Sequence, residues 1–194
     1  MRILILFRSY FGNTKEVADV VAQQMKLAGH EVDVRDMRLE LPDLVEVDAI
    51  VIGAPTRRAR VTRKVRSVLR TLKQRGYGHK PIALFDTISF SPPTPLGFSL
   101  LSSRSREETE NARKWHEPGA VGIMQKVAKQ HELNLFPEQL RCEVTGVKGP
   151  LAENATAKAV AFATAFMLYA QKVELLGLPV SLPQSEHREL GSEK

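Results

Sequence analysis

The chain has 194 residues, 43% of them hydrophobic, enough for one domain with a substantial core. Its single cysteine, Cys142, excludes an internal disulfide and fits a reducing cytosol. A formal charge of +6 is compatible with nucleic acid, an anionic cofactor or an acidic partner, whereas an aromatic content of 6% argues against a single-strand binder built on stacked bases.

Met1–Phe7 is too short and too quickly polar for a signal peptide, and no apolar stretch approaches ~20 residues. The expectation is a soluble cytoplasmic protein without a membrane span. Arg2–Arg8 reads as a buried parallel strand, short and almost continuously apolar. SYFGNT follows at residues 9–14, and Thr14–Ala28 then reads as an amphipathic helix. Val17, Val20, Val21 and Met25 share one stripe with Leu27 at its margin, and Gly29 is the stop.

Glu31–Arg35 alternates as an edge strand does, and Asp48–Ile52 reads as a second central strand with GAPT directly behind it. Thr62–Gln74 has helical spacing, with Val65, Val68, Leu69 and Leu72 inward. GYGHKP is a turn and Ile82–Phe85 another buried strand. Residues 91–118 contain SPPTP and lack periodicity, which suggests a long loop or insertion. Gly119–His131 reads as a helix, Arg141–Thr145 as a strand, and Ala152–Tyr169 as a final helix. Residues 1–172 would form one domain and 173–194 a mobile tail.

Strands alternating with helices require right-handed crossovers, which put helices on both faces of a parallel sheet. Five strands in this rhythm fit an α/β three-layer sandwich of order 2-1-3-4-5. In that order the first and third strands leave in opposite directions. Their carboxyl ends, here Ser9 and Gly53, frame a crevice.

SYFGNT occupies the first loop of the crevice. Amides at a helix start lack intrahelical partners, and the helix dipole adds partial positive charge, so a phosphate suits the position. Ser9 and Thr14 offer hydroxyls, Asn13 an amide, and Gly12 a close backbone approach. The loop is neither G-x-G-x-x-G nor G-x-x-x-x-G-K-[ST], which points to a phosphomonoester that is held rather than transferred. The alternative is an ordinary turn in which Thr14 or Asn13 caps the helix. At the other strand end, Pro55 and Thr56 give a rigid, hydroxyl-bearing turn.

SYFGNT followed by KEVA, with GAPTR behind the third strand, resembles the flavodoxin-like FMN-binding family, in the manner of flavoprotein quinone reductases. FDT at Phe85–Thr87 and KGPLAEN at Lys148–Asn154 resemble further segments of that family. The resemblance covers roughly residues 1–90 and 119–170. It implies a noncovalent FMN site between residues 9–14, 55–60 and 86–91. Ser9, Phe11, Gly12, Asn13 and Thr14 would hold the phosphate. Pro55, Thr56 and Arg57 would lie along the ribityl chain and ring. Thr87, Ile88, Ser89 and Phe90 would face the other side, and Tyr10, Arg58, Ala59 and Asp86 would also belong to the cofactor-binding loops. Where the family has an aromatic and a Gly after P-T-R, this chain has Arg58 and Ala59. Phe90, Phe98, Trp115 or the Arg58 guanidinium could supply a ring-stacking surface instead. The implied role is electron transfer, either as a carrier between redox proteins or as an oxidoreductase on a small quinone-like acceptor, with help from a second subunit in the latter case.

Residues 57–75 hold nine basic and no acidic residues. Arg63, Lys64, Arg66, Arg70 and Lys73 should line the outer face of one helix. That face is either merely solvated or a dock for an acidic partner, and it opens a second functional class: a flavin-free module that contacts an acidic protein or, less favourably, nucleic acid. The histidines at 30, 79, 116, 131 and 187 show no paired ligand spacing, so no metal site is expected. Asp86 could be catalytic or could hydrogen-bond a loop. His116, beside Trp115, could reach the crevice from the long loop. Cys142 should be buried and inert.

Overall fold

The computed structural model describes residues 1–56, 61–89, 119–146 and 148–177. Five strands form one parallel sheet: β1 (Arg2–Phe7), β2 (Glu31–Asp36), β3 (Ala49–Pro55), β4 (Ile82–Ser89) and β5 (Leu135–Val144). The order is β2-β1-β3-β4-β5, as the rhythm of the sequence implies. Four α-helices are present among the described residues: α1 (Asn13–Leu27), α2 (Arg63–Gln74), α3 (Gly119–Gln130) and α4 (Ala155–Leu176).

Period-two alternation divides each central strand between two cores. Ile3, Ile5 and Phe7 of β1 point to one face, where they meet Val17, Val21 and Met25 of α1 and Phe162 and Phe166 of α4. Leu4 and Leu6 point to the other, where they meet Val65, Leu69 and Leu72 of α2 and Met124 of α3. Both faces are thus covered, which is why β1 beyond Arg2, and all of β3, are apolar without interruption.

Several boundaries differ from the sequence reading. β3 continues through Gly53 to Pro55 because the Gly53 and Ala54 backbone stays in register with Phe85 and Asp86 of β4. β4 runs to Ser89, four residues beyond the expected end, through the buried residues Asp86, Thr87 and Ile88. β5 starts at Leu135 rather than Arg141. Its register slips between Ile82↔Leu135 and Leu84↔Gln139, around Pro137. Proline cannot donate to a ladder, so it is tolerated at this edge-strand irregularity. Leu27 is 77% exposed; Ala18 and Ala22 complete the inward stripe of α1 in its place.

The last helix begins at Ala155 and ends at Leu176, so residues 173–176 belong to it, and Val173 is buried. Gly177 terminates it in a left-handed conformation, φ 62°. By length and composition α4 could cross a membrane, with a mean hydropathy of 1.3, which corrects the expectation that no apolar stretch is that long. Its apolar side instead covers the sheet: Phe162, Phe166 and Tyr169 surround Phe136 with ring centroids 5.2 to 5.8 Å apart. Residues 178–194 lie outside the described residues.

α2 packs as expected, with Val65, Val68, Leu69 and Leu72 buried. Arg63, Lys64, Arg66, Arg70 and Lys73 are exposed on its other side.

Candidate functional site

The carboxyl ends of β1 and β3 lie at one edge of the sheet, and the described members of the expected site, Ser9–Thr14, Pro55, Thr56 and Asp86–Ser89, lie along it. The β1 end is tied to β3 by the Arg8 N–H, which donates to the Gly53 carbonyl at 3.0 Å. The chain then crosses through Ser9–Gly12. The Gly12 N–H donates to Ser9 Oγ at 3.1 Å, and Gly12 takes φ 97° as the N-cap of α1. Few side chains tolerate that backbone region, so a glycine is needed where the loop turns into the helix.

Neither expected cap is used. Among the described residues no side chain caps α1. Asn13 instead donates through Nδ2 to the Lys148 carbonyl at 3.1 Å. The Thr14 hydroxyl meets that of Thr87 at 2.8 Å, both residues being buried. Among the described residues the first-turn amides of α1 therefore have no side-chain partner, and the positive end of the helix dipole lies behind them. Tyr10 and Phe11 stand at the surface beside this turn, 42% and 47% exposed. The Arg8 guanidinium lies 4.4 Å from the Tyr10 ring centroid and donates to the Ser9 carbonyl, putting a cation in the same loop.

A second polar cluster lies at the β3 and β4 ends. The Thr56 N–H donates to the Thr87 carbonyl at 2.8 Å. The Thr56 hydroxyl donates to Asp86 Oδ2 at 2.8 Å and accepts the Ala120 N–H at 2.6 Å. Asp86 Oδ2 also accepts the Val121 N–H at 3.0 Å, and Oδ1 accepts from Arg141 Nε at 3.2 Å. Thr56 and Asp86 thus cap α3 between them. Of the two readings open for Asp86, hydrogen bonding to a neighbouring segment is the one the geometry displays. Its carboxyl is fully buried, and burial pushes it above its ordinary value, against the pull of Arg141, the Val121 amide and Thr56. Gly119, φ 70°, leaves room for the cluster: a Cβ there would lie 2.5 Å from an Arg141 guanidinium nitrogen and 2.8 Å from Asp86 Oδ2.

Pro55 is half-buried at the end of β3, Ile88 is buried, and Ser89 is half-buried. Arg57, Arg58, Ala59, Phe90, Phe98, Trp115 and His116 lie outside the described residues. Three contributors escaped the sequence reading: Arg8, Arg141 and Gly149. A Cβ on Gly149, φ 129°, would sit 2.8 Å from Asn13 Oδ1, so the turn after β5 closes against the start of α1. The available signal was the Gly-Pro pair inside KGPLAEN. Cys142 is buried; its thiol faces the Ala155 carbonyl, and burial pushes its pKa up to about 12.

A groove of about 750 Å³ lies at the opposite, amino-terminal edge of the sheet, among Asp48, Lys73, His79, Lys80, Glu132 and Gly177. Among the described residues its mixed charges converge on no helix N-terminus or hydroxyl set. The carboxyl edge, with its uncapped helix, is the better candidate.

Comparison with known proteins bears on the fold and the family. No curated protein matches the sequence. Among solved structures, oxidised Flavodoxin 2 from Bacillus cereus superposes with a TM-score of 0.61 at 21% identity, over 87% of this chain and 99% of that one. A short-chain flavodoxin associated with a non-canonical PDU bacterial microcompartment gives 0.64 at 12% identity, over 88% and 99%. The Flv1 flavodiiron core from Synechocystis sp. PCC6803 gives 0.62 at 12% identity over 89% of this chain, which spans only 36% of that larger one. At these identities the likeness shows the shared fold. A family profile described as a flavodoxin domain matches residues 4–132, two thirds of the sequence, and the chain belongs to that family.

Proposed function

We propose that the chain binds FMN noncovalently at the carboxyl edge of its sheet and transfers electrons through it. It would serve as a carrier between redox proteins or as an oxidoreductase on a quinone-like acceptor, in the cytoplasm. The observation that carries the reading is the start of α1: an N-terminus without a side-chain cap among the described residues, opened by Gly12, at the point where β1 and β3 diverge.

The donor set fits a phosphomonoester. The first-turn amides and the Asn13 and Ser9 side chains lie around one helix end. The Thr14 and Thr87 hydroxyls hold two hydrogens between them, and their mutual bond uses one, leaving one to donate. Arg8 adds positive charge at the same loop. Thr56 and Asp86 act differently: committed to α3, they fix the wall between β3 and β4. Pro55 and the exposed rings of Tyr10 and Phe11 offer apolar surface for a flat heterocycle. Bound FMN supplies one- and two-electron chemistry at its ring, and the protein supplies position and electrostatics.

The test is direct. The purified protein is incubated with FMN, desalted, and scanned for flavin absorbance. Retained, stoichiometric colour with a shifted band supports the site, and a colourless protein overturns it. The exposed basic face of α2 favours a second reading, a flavin-free module that binds an acidic partner, and that reading would survive a colourless result.

A further inference from the structure

The outer face of α2 is built against the rules that stabilise a solvated helix. A solvated face normally interleaves opposite charges three or four residues apart. Here Arg63, Arg66 and Arg70 repeat at those spacings with one sign only, and Lys64 extends the row. No Asp or Glu occurs anywhere from residue 49 to residue 85. The first turn carries no acidic residue, so Arg63, Lys64 and Arg66 oppose the helix dipole. The N-cap is uncompensated as well: Thr62 makes no capping bond, and its buried hydroxyl has no partner among the described residues. Among the described residues Arg63, Lys64, Arg66 and Arg70 form no ion pair, whereas Lys73 at the far end pairs with Glu132.

These features all strengthen positive potential at the expense of the helix. We propose that the exposed face of α2 docks an acidic protein, the electron-exchange partner of the crevice. The proposal rests on the flavin reading for the partner's role but not for the docking itself.

Position and outline favour a protein over other polyanions. α2 follows β3 and runs back along the sheet, so its basic first turn lies at the crevice edge. A protein seated there brings its own redox centre towards the same edge. Twelve residues of helix make a row only about 18 Å long. Its far end is bounded by Glu132, and by Asp43, which accepts from the Tyr77 hydroxyl. A nucleic-acid backbone continuing past that end would meet carboxylates. The apolar side of α2 is buried in the core and has nothing to insert into a lipid surface.

The test uses a plant-type ferredoxin as acidic one-electron probe and cytochrome c as basic control, with binding measured by calorimetry on FMN-loaded and FMN-free protein. Ferredoxin should bind in both states, weaken with salt, and weaken at least about tenfold in Arg63→Gln/Arg66→Gln/Arg70→Gln. The matching Arg→Lys triple variant should bind like the parent, which separates loss of charge from loss of fold. Cytochrome c should bind neither. The proposal is overturned if ferredoxin fails to bind, or binds the Gln variant equally. It is likewise overturned if a DNA duplex or a phosphatidylserine vesicle, and not ferredoxin, loses binding in that variant. Ferredoxin binding by a protein that takes up no FMN would sink the flavin reading alone; FMN uptake without ferredoxin binding would sink the docking surface alone.

Discussion

Replacing Asp86 tests whether the buried polar cluster is structural. Asp86→Ala removes the acceptor of three donors: the Val121 N–H, the Thr56 hydroxyl and Arg141 Nε. The first two are left in a water-poor site, while Arg141, 26% exposed at its side chain, can turn to solvent. Two stranded buried donors at about 1–3 kcal/mol each, plus a small cavity, put the loss near 3–5 kcal/mol. That is a large share of a typical domain stability of about 5–15 kcal/mol. Asp86→Asn keeps the shape and one acceptor oxygen for Val121 and Thr56. Its NH2 faces the Arg141 Nε–H, donor against donor, but Arg141 can swing to solvent and burial already works against the charged carboxyl, so the loss should be smaller, about 1–2 kcal/mol. The pH dependence follows. A carboxyl with a raised folded value contributes most below its ordinary value of 3.8, and that contribution declines as pH rises through the raised value. Asp86→Asn should remove this decline. Urea denaturation of both variants across pH, at unchanged m, measures all of it. An Asn variant as damaged as the Ala variant would refute the reasoning, because charge rather than hydrogen-bond acceptance would then hold the cluster.

Gly53→Ala places a Cβ 1.9 Å from Phe85 Cζ in the sheet core, and should lose about 3 kcal/mol or more, with partial recovery in Gly53→Ala/Phe85→Leu. Thermal melts of the single and double variants check this. The Cys142 thiol, buried with a pKa of about 12, should resist iodoacetamide at neutral pH until the chain unfolds; mass spectrometry with and without urea reads the difference. Two carboxylates should work in the sense opposite to Asp86. Burial pushes Asp36 up, but the Arg38 side chain and amide outweigh it, and the Tyr77 hydroxyl and Val45 amide hold Asp43 low. Their stabilisation is present above 3.8 and lost as pH falls through the lowered values, so Asp36→Asn should flatten the acid limb of a stability–pH curve.

The sheet order was legible because the chain alternates apolar strands with amphipathic helices, and that rhythm admits few topologies. Strand ends were less so. Asp86 and Thr87 look like the start of a loop in sequence; only pairing with Ala54 and Pro55 makes them strand, and only α3 gives Asp86 its donors. Pro137 interrupts the pattern of β5, so its first half does not read as strand. Val173 is buried, but Gln171, Lys172 and Glu174 around it obscure the end of α4. At the site, spacing along the chain marks which loops converge. It does not reveal that Thr14 meets Thr87, or that Thr56 serves α3, because both facts depend on register between β-strands and helices distant in sequence.

The sharpest measurement compares FMN with riboflavin, which differ only by the phosphate, in fluorescence-quenching titrations of the same protein. If the amides at the start of α1 hold that phosphate, even one charge-assisted hydrogen bond of about 1.5–3 kcal/mol makes FMN bind at least about tenfold more tightly. Equal affinity for the two flavins, or no quenching by either, would contradict it.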